Sequence, residues 1–511
     1  MRTRLRLSRT LGAVLAAALA GCAVGPDYHA PKANVPGRFA SAPGTPAPAA
    51  GATIDPVTWW HALNDARLDA LVEQAVQSNP DIEIALTRLQ EARAFESALT
   101  GRALPYVDAA AGAGRGTGSD LTRSRVPSPL TSASNTAGLQ HVTTMAGFDA
   151  AWEVDLFGRY RREIEAARYD TQAHAAARNA VLITVVADVV RAYLGLRGLQ
   201  MQQAILQQDI GSTRTLLELV QARYDRGITN ELDVTLAHRQ LATLQAKAAP
   251  LAAQASSLQY AIAVLLGRFP EDVVAELAAP DVIPQIPDNV DAGLPIDVVR
   301  RRPDIAESER LLAGATARIG VATARLFPTL VLSASAGVQA QGLGVTPHVD
   351  ESIWSAGAGA LVPLLDFGTL DALANVADLR THEQLVAYRQ TVLRAMQEVD
   401  VAMAGYVAQR DRLRHLGEAL AASQRALDLA SQRYDRGLTD FLNVVDAQRA
   451  QYDLEEQYAA AQVGVGEQFV ALYKSLGGGW ENYQSIPAIR DPQPAVIAAF
   501  RRLLAPDDPL K

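Results

Sequence analysis

The 511-residue chain contains a single cysteine, Cys22, so no disulfide can form within it and no cysteine-based metal cluster can be assembled. Its eight histidines are scattered, and no grouping of acidic and imidazole side chains has the short spacing of a metal site. No glycine-rich phosphate loop follows a strand and opens a helix. The segment Gly112–Gly118, GAGRGTG, has the glycines but falls beyond a strand, where it reads as a surface loop. These absences count against an enzyme and leave no cofactor to expect. Basic residues are outnumbered, 47 Lys and Arg against 55 Asp and Glu, and the net charge of −8 counts against a nucleic-acid-binding face. The chain also lacks any run of about 18 uninterrupted apolar residues, the length of a membrane-spanning helix.

Cys22 carries the information about location. Arg2, Arg4, Arg6 and Arg9 precede a short apolar run from Leu11 to Ala20, the layout of a secretory signal. The run ends in Leu19-Ala20-Gly21-Cys22, which resembles a bacterial lipobox. That resemblance implies cleavage after residues 1–21 and acylation of the Cys22 thiol. Acyl chains at about 0.8 kcal/mol per buried methylene would hold the N-terminus on a bilayer. Ala23, following the cysteine, favours the outer membrane over retention at the inner one. Residues 22–58 are rich in Pro, Ala and Gly, a composition that reads as an extended tether unable to bury a core. The folded part is expected to begin at Trp59-Trp60.

The chain repeats itself. RYDRG occurs at Arg223–Gly227 and again at Arg433–Gly437, followed by ITNELDVTLAHR in one place and LTDFLNVVDAQR in the other. Asn79–Pro105 parallels Arg302–Pro328 at an offset of about 223 residues, and Asp155–Arg168 parallels Leu365–Asp378 at about 210. An internal duplication therefore sets the fold. Leu385, Val392, Val399, Tyr406, Leu413, Leu420, Leu427 and Tyr434 recur every seven residues; in the first half Leu182, Val189, Leu196, Ile210, Leu217 and Tyr224 do the same, with Gln203 interrupting. Such a seam marks helices packed as coiled coils. From residue 158 to 224 a helix would run roughly 100 Å at 1.5 Å per residue. Each long helix then meets the glycine of RYDRG, where a left-handed C-cap fits, and turns into a second helix in which Pro250 is expected to introduce a bend.

At the other end of each hairpin the period is two. Phe148, Ala150, Trp152 and Val154 share one face, with Asp149, Ala151 and Glu153 on the other. Leu330 to Gln341 and Trp354 to Leu364 alternate in the same way. Strands of about ten residues with one apolar face fit a transmembrane β-barrel, and the outer-membrane address favours that over a soluble sheet. Two strands per half make about four per chain, too few to close a barrel, whose smallest natural members have about eight. Three copies would supply about twelve.

The expected organisation is as follows. A first repeat covers 59–285, with strands about 104–116 and 142–154 and helices about 157–224 and 230–267. A second covers 286–480, with strands about 328–341 and 353–364 and helices about 367–434 and 440–476. A tail of 481–511 follows. The fold class is mainly α with membrane β: two tandem coiled-coil hairpins, each with a two-strand β-hairpin.

These motifs resemble the outer-membrane efflux ducts of the TolC/OprM kind, in their NodT-type lipoprotein branch. The resemblance rests on LAGC at Leu19–Cys22, WEVDLFGRYRR at Trp152–Arg162, RRPDIAESERLLAGATARIGVATARLFPTL at Arg301–Leu330, PLLDFG at Pro363–Gly368 and RYDRGLTDFLNVVDAQR at Arg433–Arg449. It implies a homotrimer with a twelve-stranded barrel among outer-membrane lipids and a helical tunnel in the periplasm. It also implies a periplasmic adaptor and an inner-membrane pump of the resistance-nodulation-division type as partners. By the same resemblance Tyr434 is expected to bond Asp233 at the tip, and Asp446 to line the constriction. Asn443 and Thr439 stand where the family pattern has a second carboxylate and an arginine, which leaves Arg433 or Arg436 to compensate. Arg223, Asp225, Gly227, Arg433, Asp435 and Gly437 are candidate tip contacts to the adaptor. The alternative reading is a periplasmic adaptor lipoprotein, which usually carries one hairpin and not two. Few methionines and unclustered histidines count against a dedicated copper route; the cargo is otherwise open.

Overall fold

The computed structural model describes residues 23–32, 35–41, 54–117, 140–288, 290, 293–343 and 350–483. Cys22, the signal segment and the tail beyond 483 lie outside the described residues. In chain order the helices are α1 (Ala66–Ser78), α2 (Pro80–Arg102), α3 (Arg159–Asp225), α4 (Glu231–Leu265), α5 (Pro270–Leu277), α6 (Pro295–Arg301), α7 (Pro303–Ala324), α8 (Thr369–Asp435) and α9 (Phe441–Leu476). The strands are β1 (Tyr106–Thr117), β2 (Gln140–Val154), β3 (Thr329–Leu343) and β4 (Asp350–Leu361). Helices α3 and α8 are each 67 residues long, and α4 continues through Pro250 without a break. Two compact units form. One comprises the described residues within Met1–Pro31, Leu89–His174 and Glu307–Arg389; the other comprises those within Lys32–Arg88, Ala175–Ala306 and Gln390–Lys511.

The first unit is built on one antiparallel sheet in the order β1-β2-β3-β4. The two halves of the chain meet at its centre, where β2 pairs with β3 so that Trp152 faces Leu332 and Val154 faces Leu330. Gly147 lies opposite Gly337 in that register. A Cβ on Gly147 would stand 2.8 Å from the Ala336 carbonyl oxygen, and one on Gly337 would stand 2.6 Å from that of Ala146, so the pair must be glycine. Each second strand turns into its long helix at a left-handed glycine, Gly158 (φ 81°) or Gly368 (φ 80°). Beside the first turn, the Phe157 ring stacks on Phe327 at 4.7 Å.

Residues 23–32 and 35–41 of the expected tether lie against the folded protein, while 42–53, which hold its Pro- and Ala-rich core, lie outside the described residues. The Val24 amide donates to the Phe157 carbonyl at 3.1 Å. The buried Arg162 guanidinium donates to the carbonyls of Val24 (3.2 Å) and Gly25 (3.3 Å) and to the carboxylates of Asp27 (2.7 Å) and Glu165 (2.8 Å). A buried cation without acceptors is costly, so Arg162 draws the strap down. Tyr28 extends it, donating to Glu309 at 3.0 Å and meeting Tyr169 edge-on. In the second unit Phe39 is buried, and Ser41 donates through its amide (2.9 Å) and hydroxyl (2.7 Å) to Asp400. The strap docks because the folded chain supplies its partners; it brings almost no core of its own.

In the second unit the apolar stretch of α3 passes through the core. Leu182, Val185, Val189, Tyr193 and Leu196 are fully enclosed. This part of α3 is long and apolar enough to cross a bilayer, but 61 % of it is buried by packing within the protein. Trp59 stacks on Tyr473 at 5.7 Å and meets Phe469 edge-on at 5.8 Å, which fixes the start of the fold against the end of α9. The duplication is visible in the turns after α4 and α9. Gly267 (φ 65°) lies against the Ser78 carbonyl, and Asn79 donates to the Leu265 carbonyl at 2.8 Å. At the matching place Gly477 (φ 76°) lies against Arg302, which donates to the Ser475 carbonyl at 2.9 Å and to Glu398 and Asp304 at 2.7 Å.

Asp209 on α3 has a buried carboxylate oxygen without a hydrogen-bond partner among the described residues. Burial, followed by the negative charge of Glu455, raises its pKa to about 6 from an ordinary 3.8. The folded state therefore holds the proton more tightly than the unfolded chain. Its stabilising effect is complete below the unfolded pKa and is lost as pH rises through about 6. Asp209→Asn should accordingly stabilise the protein at pH 8 by about 1–2 kcal/mol, after discounting for partial solvent exposure, and the advantage should vanish near pH 4. Urea unfolding of detergent-solubilised protein at the two pH values measures the difference. An equal effect at both would remove this carboxylate as the cause.

Candidate functional site: the two hairpin tips

Both tips belong to the second unit and are built by the same local chemistry. At the first, Ile228 N–H donates to the Arg223 carbonyl at 2.9 Å and Gly227 N–H to that of Tyr224 at 2.8 Å. At the second, Leu438 and Gly437 make the same pair of bonds to Arg433 and Tyr434, at 2.8 and 2.9 Å. This is the Schellman arrangement, which satisfies carbonyls that a helix end leaves unpaired. Gly227 and Gly437 both have φ 70°, and nothing lies within 4 Å of a Cβ at either, so left-handed backbone alone demands glycine. Asn230 begins α4 by accepting from the Asp233 amide at 3.1 Å.

Identical motifs have unlike surroundings. Tyr224 is 40 % exposed, whereas Tyr434 is 8 % exposed and sits in a cluster with Val220, Ala237, Phe441, Val444 and Val445. That cluster joins the two hairpins, since Val220 and Ala237 belong to the first and the others to the second. Arg223 crosses from the first hairpin to the second. Its guanidinium lies over the Tyr434 ring, 4.7 Å from the centroid, and donates to Asp435 at 3.0 Å. Further along the same pair, Gln448 donates to the Thr213 hydroxyl at 2.9 Å. Lys247 meets Glu456 at 3.2 Å and lies over Tyr452 at 4.2 Å. Polar ties thus hold hairpin to hairpin, and at the far end of α9 Lys474 meets Asp188 of α3 at 4.0 Å.

The expected bond between Tyr434 and Asp233 is not made within the chain. The Asp233 carboxylate takes the Thr229 hydroxyl. The Tyr434 hydroxyl is buried without a partner among the described residues, because the ring is turned onto Phe441 and under Arg223. Asn443 donates to Thr439 at 2.8 Å, so the two residues that depart from the family pattern engage each other. Asp225 accepts from Gln221 at 2.8 Å, and Arg433 and Arg436 are exposed at the second tip. Asp446 is exposed on α9, one turn beyond Asn443.

Two features escaped the sequence reading. Arg223 was placed among outward contacts, yet it is the residue that bridges the hairpins; nothing in RYDRG distinguishes its two copies. Asp453 is exposed on the same face of α9, one heptad beyond Asp446 and about 10 Å along the helix. The heptad period that revealed the seam could have revealed this carboxylate as well.

The family described as Outer membrane efflux protein matches residues 71–268 and 294–478, one block in each half of the chain. Nodulation protein T of Rhizobium leguminosarum bv. trifolii is 28 % identical, with 90 % of this chain and 95 % of that protein covered. Toluene efflux pump outer membrane protein TtgF of Pseudomonas putida is also 28 % identical, covering 93 % of this chain and 98 % of its own. The solved outer-membrane channel OprN superposes with a TM-score of 0.79 at 33 % identity, over 90 % of this chain and all of that one. Matched through both of its repeats, the chain belongs to the outer membrane efflux protein family: it is an efflux channel of the outer membrane that reaches into the periplasm, and not an enzyme.

Proposed function

We propose that this channel is shut at its periplasmic end by the hairpin tips, and that Arg223 is the tie whose release lets the second hairpin move away from the first. The supporting observation is the double contact of Arg223 with the Tyr434 ring and the Asp435 carboxylate across the hairpin boundary. A partly buried cation–π contact contributes about 0.5–2 kcal/mol, and an ion pair with an exposed partner about 0–1 kcal/mol. Repeated in three copies, such ties hold a gate closed yet within reach of a partner's binding energy. Four strands per chain make a trimer the assembly that closes a twelve-stranded barrel.

Beyond the gate, solute arrives from an inner-membrane pump of the resistance-nodulation-division type by way of a periplasmic adaptor. Ile228 and Leu232 on one tip, with Leu438 and Leu442 at equivalent places on the other, are exposed apolar side chains where an adaptor can land. Asn443, Asp446 and Asp453 share a face of α9 and are exposed among the described residues. Three copies of each carboxylate around one axis would favour cations and repel anions. Acylation of Cys22 completes this reading: Ala23, the next residue, packs on Gly158 where β2 gives way to α3, so an acyl anchor would emerge beside the strand ends.

Arg223→Gln should raise single-channel conductance in planar bilayers several-fold, whereas Tyr434→Phe alone should leave it near wild type because its hydroxyl binds nothing among the described residues. Unchanged current in Arg223→Gln would remove the tie. Asp446→Asn with Asp453→Asn should lower the preference for potassium over chloride, read as a shift in reversal potential, without changing conductance more than about twofold. Cys22→Ser should lose incorporation of labelled palmitate while the protein is still exported; retained labelling would place the lipid elsewhere.

A further inference from the structure

In the second unit, the chain that joins the two repeats runs at residues 283–288 along one wall of a groove of about 610 Å³. Leu413 on α8 and Tyr458, Gln462 and Val465 on α9 complete the walls, and among the described residues nothing fills the space. Ile283, Pro284 and Ile286 make the linker side apolar. Gln462 Oε1 is a buried acceptor with no hydrogen-bond partner among the described residues. The rim is acidic on balance. Asp288 pairs with Arg410, while Asp411 and Glu418 pair with Arg414, so three exposed carboxylates stand against two guanidiniums.

The sequence holds a segment of matching character. Residues 484–511 lie beyond the family match, which ends at 478, and outside the described residues. Within them Val496, Ile497, Phe500, Leu503 and Leu504 follow the i, i+1, i+4, i+7, i+8 spacing of one helix face. Pro494 stands where a first helical turn accepts proline, and Pro506 where a helix stops. Between those prolines the only charged residues are Arg501 and Arg502, a basic complement to the acidic rim. Helix α3 sets the distance to be covered. Its Arg178 donates at 2.8 Å to the carbonyl of Tyr483, the last described residue. Its Leu194 lies against Gly466 of α9, which also adjoins Ile286 of the groove. Sixteen residues separate Arg178 from Leu194, about 24 Å along the helix. The eleven residues from Tyr483 to Pro494 reach about 36 Å when extended, so the tail arrives with length to spare. We infer that residues 494–505 fold back as an amphipathic helix into this groove, the apolar face on Ile286 and Leu413 and the two arginines toward the rim. Seated there, the segment braces the linker between the repeats against the second hairpin.

Trypsin reads the docking, because Arg501 and Arg502 lie inside the docked segment and Arg490 in the stretch that leads to it. In full-length protein extracted in mild detergent, cleavage after Arg501 and Arg502 should be at least tenfold slower in the wild type than in Phe500→Ser. Leu413→Glu, on the other side of the contact, should be cut as fast as Phe500→Ser. Both variants are compared as material that still migrates as the native oligomer. Wild-type protein cut as fast as Phe500→Ser overturns the docking, and protection that survives Leu413→Glu overturns the groove as its place. A second measure is independent of protease access to the docked segment. Oxidised Leu413→Cys/Phe500→Cys should keep the C-terminal peptide on its own chain after trypsin cuts at Arg490, and reduction should release it; the single variants report any pairing through Cys22. A peptide released without reduction, or linked only to a neighbouring subunit, overturns the inference.

Discussion

Strand edges dominate the physics of this protein. A four-stranded sheet satisfies the backbone groups of its inner strands and leaves one row of donors and acceptors bare on each outer one. In water such edges are a hazard; in hydrocarbon, where nothing else can bond them, they are prohibitive. The strands are long enough to cross a bilayer yet too few to close on themselves. Association is therefore required by the sheet.

Elsewhere, irregular chain is held by buried cations. Arg162 binds the strap that follows Cys22, and Arg302 ties the end of α9 to the start of α7. Arg197, also enclosed, donates to Gln200 at 2.7 Å and to the Ala279 carbonyl at 2.9 Å, and so fixes the chain leaving α5. A guanidinium presents five donors in a rigid fork, which suits it to gathering carbonyls and carboxylates from several segments at once. Removing one partner from such a site strands a charge, so these places are rigid. Arg223 differs. Its two contacts face a half-open surface, and a tie of that strength can be broken in normal operation.

The duplication provides symmetry, and its decay provides mechanism. Gly227 and Gly437 keep the same turn with the same φ, while Tyr224 and Tyr434 occupy opposite environments. Asn79 and Arg302 stand at equivalent positions with unlike partners. A channel built from two equal hairpins would have no reason to move one and keep the other. Inequality at the tips, with one hairpin reaching over to hold its sibling, makes differential motion possible.

Periodicity was enough to mark the four long helices and the four strands, but not the shorter helices α1, α2, α5, α6 and α7. A seven-residue repeat, a two-residue repeat and a recurring glycine are local signals, and they marked the long helices, the strands and the tip turns, while the family was legible in longer motifs such as WEVDLFGRYRR and RYDRGLTDFLNVVDAQR. Pairing across distance was not legible. That Arg223 rather than its copy bridges the hairpins, and that Asp233 turns to Thr229 instead of Tyr434, depends on which helix faces come together. That Val24, Gly25 and Asp27 lie on the protein depends on Arg162, some 140 residues away in sequence. Composition describes what a segment can do by itself; these outcomes were decided by donors, acceptors and rings supplied from elsewhere in the fold.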